Sequence, residues 1–235
     1  METHNYNGLE DLLQKCQIKK DSTLELTHTE IAKTYRRKFH ISPDIYDIFM
    51  KLYYRDAIKK KNNQFLIERQ LIFKNENPGP LLLDIDLQFS MDNNRRLYTD
   101  EHIQCIFDTV LKLFSEIFEM DEDVKFIILC LEKPSHRVVT KANGTSIVKD
   151  GIHFMFSISM NSIYHQYIRE KLIELVSEIP IWNDLPIINQ NHFEDVFDSA
   201  ISNGSNGWLP PMSQKPDDTH CYSVTQAYEV SYDTD

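Results

Sequence analysis

Apolar and polar positions divide the chain into a helical beginning and an alternating interior. Thr27-His28-Thr29-Glu30 sets a threonine three residues before a glutamate, so that Thr27 caps a helix and Glu30 reaches back to its amide. This predicts a short helix through about Lys38. Ser42-Pro43 then supplies a cap and a proline at the first helical position, and Ile45, Ile48, Phe49 and Leu52 recur on one face. That second helix is expected to run to the basic cluster near Lys61.

Beyond this segment the period changes. Phe65-Leu66-Ile67 and Leu81 to Phe89 read as strands, and the second is so uniformly apolar before Asp84 that a central place in a sheet is expected. Asn77-Pro78-Gly79-Pro80 is the turn that feeds it. From Glu101 to Met120, Ile103, Ile106, Phe107, Val110, Leu111, Phe114, Ile117 and Phe118 repeat at helical spacing. Val124 to Leu131 and Ile152 to Ile158 read as buried strands, and Ile163, Tyr167, Ile168, Leu172, Leu175 and Val176 mark another amphipathic helix. Helices and strands alternate, so the expected class is α+β. A helical segment over residues 1–64 is expected to precede a core over 65–235, the whole forming one compact, bilobed unit.

Composition narrows the function classes. With 235 residues, 41% of them apolar and 11% aromatic, the chain can fill a real core. No apolar run approaches the roughly 18 residues of a membrane span, and Met1-Glu2-Thr3-His4 has no signal-peptide character, so a soluble, unsecreted protein without a membrane partner is expected. Cys16, Cys105, Cys130 and Cys221 are far apart and form no CxxC pair, which points away from a zinc ribbon or disulfide framework. The net charge of -11 argues against broad phosphate binding, because that depends on many Lys and Arg displacing counterions. Any nucleic-acid contact must be local, at Arg36-Arg37-Lys38, Lys59-Lys60-Lys61 or Arg95-Arg96, each of which alone reads as a solvated run.

Three stretches carry candidate chemistry. Asp84 and Asp86 lie two apart on a predicted strand, so both carboxylates share one face. Two like charges so close call for a cation, and hard oxygen ligands suit Mg²⁺ or Mn²⁺. Taken alone, the pair is equally well read as a solvated strand end. Lys149-Asp150-Gly151-Ile152-His153 places Lys149, Gly151 and His153 at alternate positions entering a strand, where Gly151 permits close approach of a ligand and the other two can donate to phosphate. A lone histidine there would more often be structural; its spacing from Lys149 sets it apart. Asp198, in Val196-Phe197-Asp198-Ser199-Ala200-Ile201, offers a further acid, seventeen positions before Lys215 in Ser213-Gln214-Lys215-Pro216. By itself Asp198 could as well cap a turn.

Together these motifs resemble the archaeo-eukaryotic primase superfamily, whose pattern is an Asp-x-Asp strand, a small-x-His strand and a third acid. The likeness is greatest to the N-terminal primase domain of primase-helicases of poxviruses and other nucleocytoplasmic large DNA viruses. It runs from roughly Thr27 to Val230 and includes Ile67-Glu68-Arg69-Gln70, Arg96-Leu97-Tyr98-Thr99 and Glu101-His102-Ile103. Two departures stand out. Pro210-Pro211-Met212 interrupts the approach to the Ser-x-Lys-Pro element, and Gly151 replaces the serine common in the superfamily, so that a backbone amide takes the place of a hydroxyl contact to phosphate.

The resemblance implies a primase fold with a mixed central sheet flanked by helices, and a nucleotidyltransferase that makes short primers on single-stranded DNA in viral replication. It implies Asp84, Asp86 and Asp198 as ligands of two divalent cations, Mg²⁺ or Mn²⁺. Lys149, Gly151, His153 and Lys215 would bind the incoming nucleoside triphosphate, ribo or deoxy, with Arg95 or Arg96 on a template groove. It further implies a superfamily-3-type helicase as partner in cis or trans, with this chain an N-terminal fragment. The setting would be the host cytoplasm, a viral replication factory or the nucleus. Competing readings are a metal-dependent nuclease, which needs no triphosphate grip, and an inactive primase-like domain that binds DNA or recruits a helicase.

Overall fold

Burial along a single strand organises the larger part of the molecule. In β4 (Gly79–Phe89), Leu81, Leu83, Ile85, Leu87 and Phe89 are buried, while Asp84, Asp86 and Gln88 between them are half-buried. A period of two sends the first set to one face and the second to the other. The structure, a computed structural model, describes residues 5–31, 36–69, 78–119, 124–216 and 218–231. Its contacts divide the chain into two units, Met1–Leu71 with Asn206–Ser223, and Ile72–Ser205 with Val224–Asp235. The pattern-based boundary after residue 64 does not anticipate the return of residues 206–223 to the first unit.

In the second unit β4 joins β5 (Lys125–Glu132), β6 (Arg137–Thr140), β7 (Ser146–Met160) and β8 (Ser223–Ser231). The sheet order is β4-β7-β5-β8, with β6 also paired to β7. β7 runs antiparallel to β4, β5 and β6. The expectation of a central β4 is therefore corrected: β4 stands at the end of the order. Its outer edge is nonetheless covered by irregular chain. Asp84 O accepts from Asp198 N–H at 2.9 Å, Gln88 O from Ile188 N–H at 2.9 Å, and Phe197 bridges Ile85. The Asn189 side chain accepts from Gln88 N–H at 3.0 Å and donates to Asp86 O at 3.0 Å. An edge buried in this way requires the apolar character of a central strand.

Two helices cover the apolar face. In α3 (Asp100–Ile117), the Thr99 N–H donates to His102 Nδ1 at 3.1 Å, and Asp100 and Glu101 complement the positive end of the helix. The Asn161 side chain caps α4 (Ser162–Val176), accepting from the Ile163 and Tyr164 amides at 3.1 and 3.3 Å. Ile106, Val110 and Phe114 from α3, with Ile168, Leu172 and Val176 from α4, form one core with Leu83, Ile85, Leu87, Phe154 and Phe156. Burying such side chains contributes roughly 1.5–3 kcal/mol each. Short helices α5 (Pro180–Asn183), α6 (Phe193–Val196) and α7 (Ser199–Ser202) follow.

The first unit begins with α1 (Leu9–Lys15), and the helix at Ser42-Pro43 is present as α2 (Pro43–Tyr53), continued by a wide π-helical stretch over Tyr54–Lys59. The helix expected from Thr27 to Lys38 is not formed: β1 (His28–Glu30) pairs antiparallel with β2 (Lys38–Phe39) and β3 (Leu66–Glu68). Thr27 Oγ1 is occupied by the strands, donating to Phe39 O at 3.2 Å and accepting from Ile41 N–H at 2.8 Å, and Glu30 is paired with Arg37. Both members of the apparent capping box are thereby engaged elsewhere. Residues 32–35 of that stretch, Asn77 of the expected turn and Met120 lie outside the described residues, while Gly79 and Pro80 belong to β4. Leu12, Phe39, Phe49, Tyr53 and Leu66 form a separate core. The architecture is α+β with a helical N-terminus, and no helix among the described residues is long and apolar enough to cross a membrane.

Candidate active site

The β4–β7 register assembles the candidate residues. Asp84 stands opposite His153, Asp86 opposite Gly151 and Gln88 opposite Lys149. Residues directly opposite in an antiparallel pair project from the same face, so both acids share a surface with the lysine, glycine and histidine. It is the face turned away from the core containing Ile85, Ile152 and Phe154.

Asp198 reaches the same strand by a different route. The Ile85–Phe197 bridge and the Asp198 N–H···Asp84 O bond of 2.9 Å set Asp198 beside Asp84 on the far side from β7. Its Oδ1 accepts from Ala200 N–H at 2.8 Å, so Asp198 also caps α7. The structure thus joins the two readings of this residue, as a helix cap and as a neighbour of the acidic pair.

Among the described residues, no group of three or more His, Cys, Asp or Glu side chains is arranged to hold a metal ion. The donor set nevertheless fits Mg²⁺ or Mn²⁺ chemically, because Mg²⁺ is commonly held by one or two carboxylates together with water and substrate phosphates. Asp84 and Asp86 are such carboxylates, half-buried on one face. His153 Nε2 lies 3.3 Å from Asp84 Oδ1, with the two side chains 4% and 18% exposed, so the imidazole packs directly against one carboxylate oxygen. Gly151 N–H donates to Asp150 Oδ1 at 3.0 Å, which engages the amide expected to replace the serine hydroxyl.

Behind this face lies a polar cluster that sequence reasoning missed. The Asp150 side chain, fully buried, accepts from Arg96 Nε and Nη2 at 2.9 and 3.0 Å. Arg96 also donates to Glu132 Oε1 at 3.0 Å and to Lys133 O at 2.7 Å. Glu132 accepts from the Tyr98 hydroxyl at 2.9 Å and from Thr225 Oγ1 at 2.7 Å. Burial, then the Asp150 and Glu132 charges, push the Tyr98 phenol well above its ordinary range and keep it a proton donor. The available signal was Asp150, an acid flanked by alternating site residues and therefore pointing to the opposite face. Arg96 is committed to this cluster, whereas Arg95 is exposed.

Lys215 belongs to the first unit and is exposed. The Pro210-Pro211-Met212 interruption is a structural anchor within that unit. Tyr53 Oη donates to Pro211 O at 2.7 Å, Met212 N–H bonds to Tyr222 O at 2.7 Å, and Met212 adopts a φ of 67°. A family model described as the C962R protein N-terminal AEP domain matches residues 27–228. No curated protein matches the chain.

Proposed function

The chain belongs to the family of the C962R protein N-terminal AEP domain, AEP denoting archaeo-eukaryotic primase, and from that premise we propose that it synthesises primers on single-stranded DNA by nucleotidyl transfer. The observation that carries this reading is the β4–β7 register, which sets an acidic strand against a strand bearing Lys149, Gly151 and His153. Asp84 and Asp86, with Asp198 beside them, would hold Mg²⁺ or Mn²⁺. Held there, two such cations would supply Lewis-acid chemistry, lowering the pKa of an attacking 3′-hydroxyl and offsetting charge on the transferring phosphoryl group.

The chain's own residues supply positioning. His153, whose Nε2 lies 3.3 Å from Asp84 Oδ1, would help orient the carboxylate that is to hold a cation. Lys149, two residues from Gly151 along β7, offers a flexible ammonium to the phosphates of an NTP or dNTP. Gly151 keeps the surface between them low, so that the phosphates lie close to the strand. Arg95 is the exposed cation assigned to the template, since Arg96 is engaged by Asp150 and Glu132. The reading carries with it a superfamily-3-type helicase in cis or trans and a place in viral DNA replication, in the host cytoplasm, a replication factory or the nucleus.

The test is incubation with Mg²⁺ or Mn²⁺, single-stranded DNA and labelled nucleotides. New oligonucleotides are expected, with a loss of about 10³-fold in Asp86→Ala at unchanged circular dichroism. Shortened template would instead identify a nuclease, and template binding without synthesis or cleavage a non-catalytic domain. Wild-type synthesis by Asp86→Ala would overturn the site assignment.

A further inference from the structure

The site face continues past Lys149. β6 pairs with β7 so that Arg137 stands opposite Lys149 and Val139 opposite Ile147, while Gln88 of β4 meets Lys149 from the other side. Gln88, Lys149 and Arg137 therefore form a row across three strands on the face that carries Asp84, Asp86 and His153. Arg137 and Lys149 are both half-buried. Charge changes sign across the sheet: carboxylates on β4, an ammonium and an imidazole on β7, a guanidinium on β6.

Spacing gives this order a direction. Adjacent strands lie about 4.8 Å apart and alternate residues about 7 Å apart along a strand, so the Arg137 Cα is about 8 Å from that of Gly151 and about 12 Å from that of Asp86. An anionic chain held near the carboxylates at one end and running over Gly151 reaches Lys149 and then Arg137. The hairpin that carries Arg137 is tightly closed: Lys141 N–H bonds to Thr145 O at 2.8 Å, Gly144 N–H to Lys141 O at 2.9 Å, and Gly144 takes a φ of 82°. A guanidinium on such a ribbon presents a planar fork that matches two oxygens of one phosphate, which an ammonium cannot do.

We infer that Arg137 is a further nucleotide-binding residue, holding the terminal phosphate of a nucleoside triphosphate and so setting the preference of the site for triphosphates over diphosphates. This rests on the nucleotidyl-transfer reading above. The phosphate farthest from the reacting α-phosphorus meets the strand farthest from the acids. Lys149, nearer the acids, contacts phosphates common to both nucleotides.

Equilibrium binding of dATP and dADP to the protein in Mn²⁺ tests the assignment. The wild type is expected to favour dATP about tenfold, and Arg137→Gln to lose that preference by weakening dATP alone, at an unchanged melting temperature. Arg137→Lys is expected to fall between them, and it carries the test if the glutamine variant does not fold. Equal weakening of both nucleotides, or a preserved preference, would overturn the inference and leave the proposed function standing. Failure of the wild type to bind either nucleotide would remove both.

Discussion

His153 stands directly opposite Asp84 in the β4–β7 ladder, and its Nε2 lies 3.3 Å from Asp84 Oδ1. The contact couples the residue expected on the nucleotide side to the residue expected on the metal side. Removing the imidazole takes away one neighbour that orients the carboxylate, and loss of such a supporting contact typically costs 10–100-fold in metal affinity. His153→Ala is therefore expected to weaken Mn²⁺ binding by about tenfold or more, followed by titration with detection of free Mn²⁺. An unchanged affinity in a folded variant would sink this role.

Arg96 and Arg95 should separate cleanly on mutation. The Asp150 carboxylate is completely buried and Glu132 nearly so, so truncating Arg96 leaves two carboxylates without their counter-charge. Arg96→Ala is expected to lower stability by about 3 kcal/mol or more, measured by urea unfolding. Arg95→Ala should leave the unfolding midpoint alone and weaken template binding, most strongly at low salt. Equal midpoints for the two variants would contradict the division of roles.

The division between Arg95 and Arg96 was not legible in the sequence, and the reason is physical. Alternation along β4 and β7 names which side chains share a face, so Asp84 with Asp86, and separately Lys149 with Gly151 and His153, could be grouped from spacing alone. It does not say which strands are neighbours, and Arg137 became visible only once β6 was paired with β7. Asp198 lies on irregular chain, where no period points a side chain anywhere; its motif found it, and the bridge to Ile85 located it. In the first unit the strands β1, β2 and β3 are three residues long or shorter, too short to show a period of two. There the local Thr27–Glu30 signal pointed to a helix, and strand pairing took both side chains.

His28 makes the first unit sensitive to acid. It is 1% exposed, packs edge-on to Phe49 at 5.0 Å, and its buried Nε2 has no hydrogen-bond partner among the described residues. Burial lowers its pKa from 6.5 to about 4. The unfolded chain takes up this proton below about pH 6.5 while the folded chain resists until about pH 4. The stabilisation is thus complete above the upper value and lost as pH falls through the window, by roughly 3 kcal/mol in all. His28→Leu should flatten the pH dependence of the unfolding midpoint between those limits; a slope equal to that of the wild type would count against it.

Gly207 marks a close approach within the same unit. Trp208 and Glu68 exchange two backbone hydrogen bonds of 2.7 and 2.8 Å, and a Cβ at Gly207 would press on Ile67 Cγ2 and lie 2.7 Å from Glu68 O. Gly207→Ala is expected to destabilise by about 1–3 kcal/mol by forcing that ladder apart. Differential scanning calorimetry should show a lowered transition, and an unaltered one would mean that the strand yields freely.

The chain that covers the outer edge of β4 also delivers Asp198. Exposed strand edges recruit other chains, so these residues act as a guard against self-association as well as a source of the third acid. The two properties are then inherited together. Any lesion that peels this stretch away, such as Asn189→Ala, is expected to yield a protein that is prone to aggregate and, on the proposed function, less active in synthesis, and selection for solubility alone would preserve much of the geometry of the candidate site.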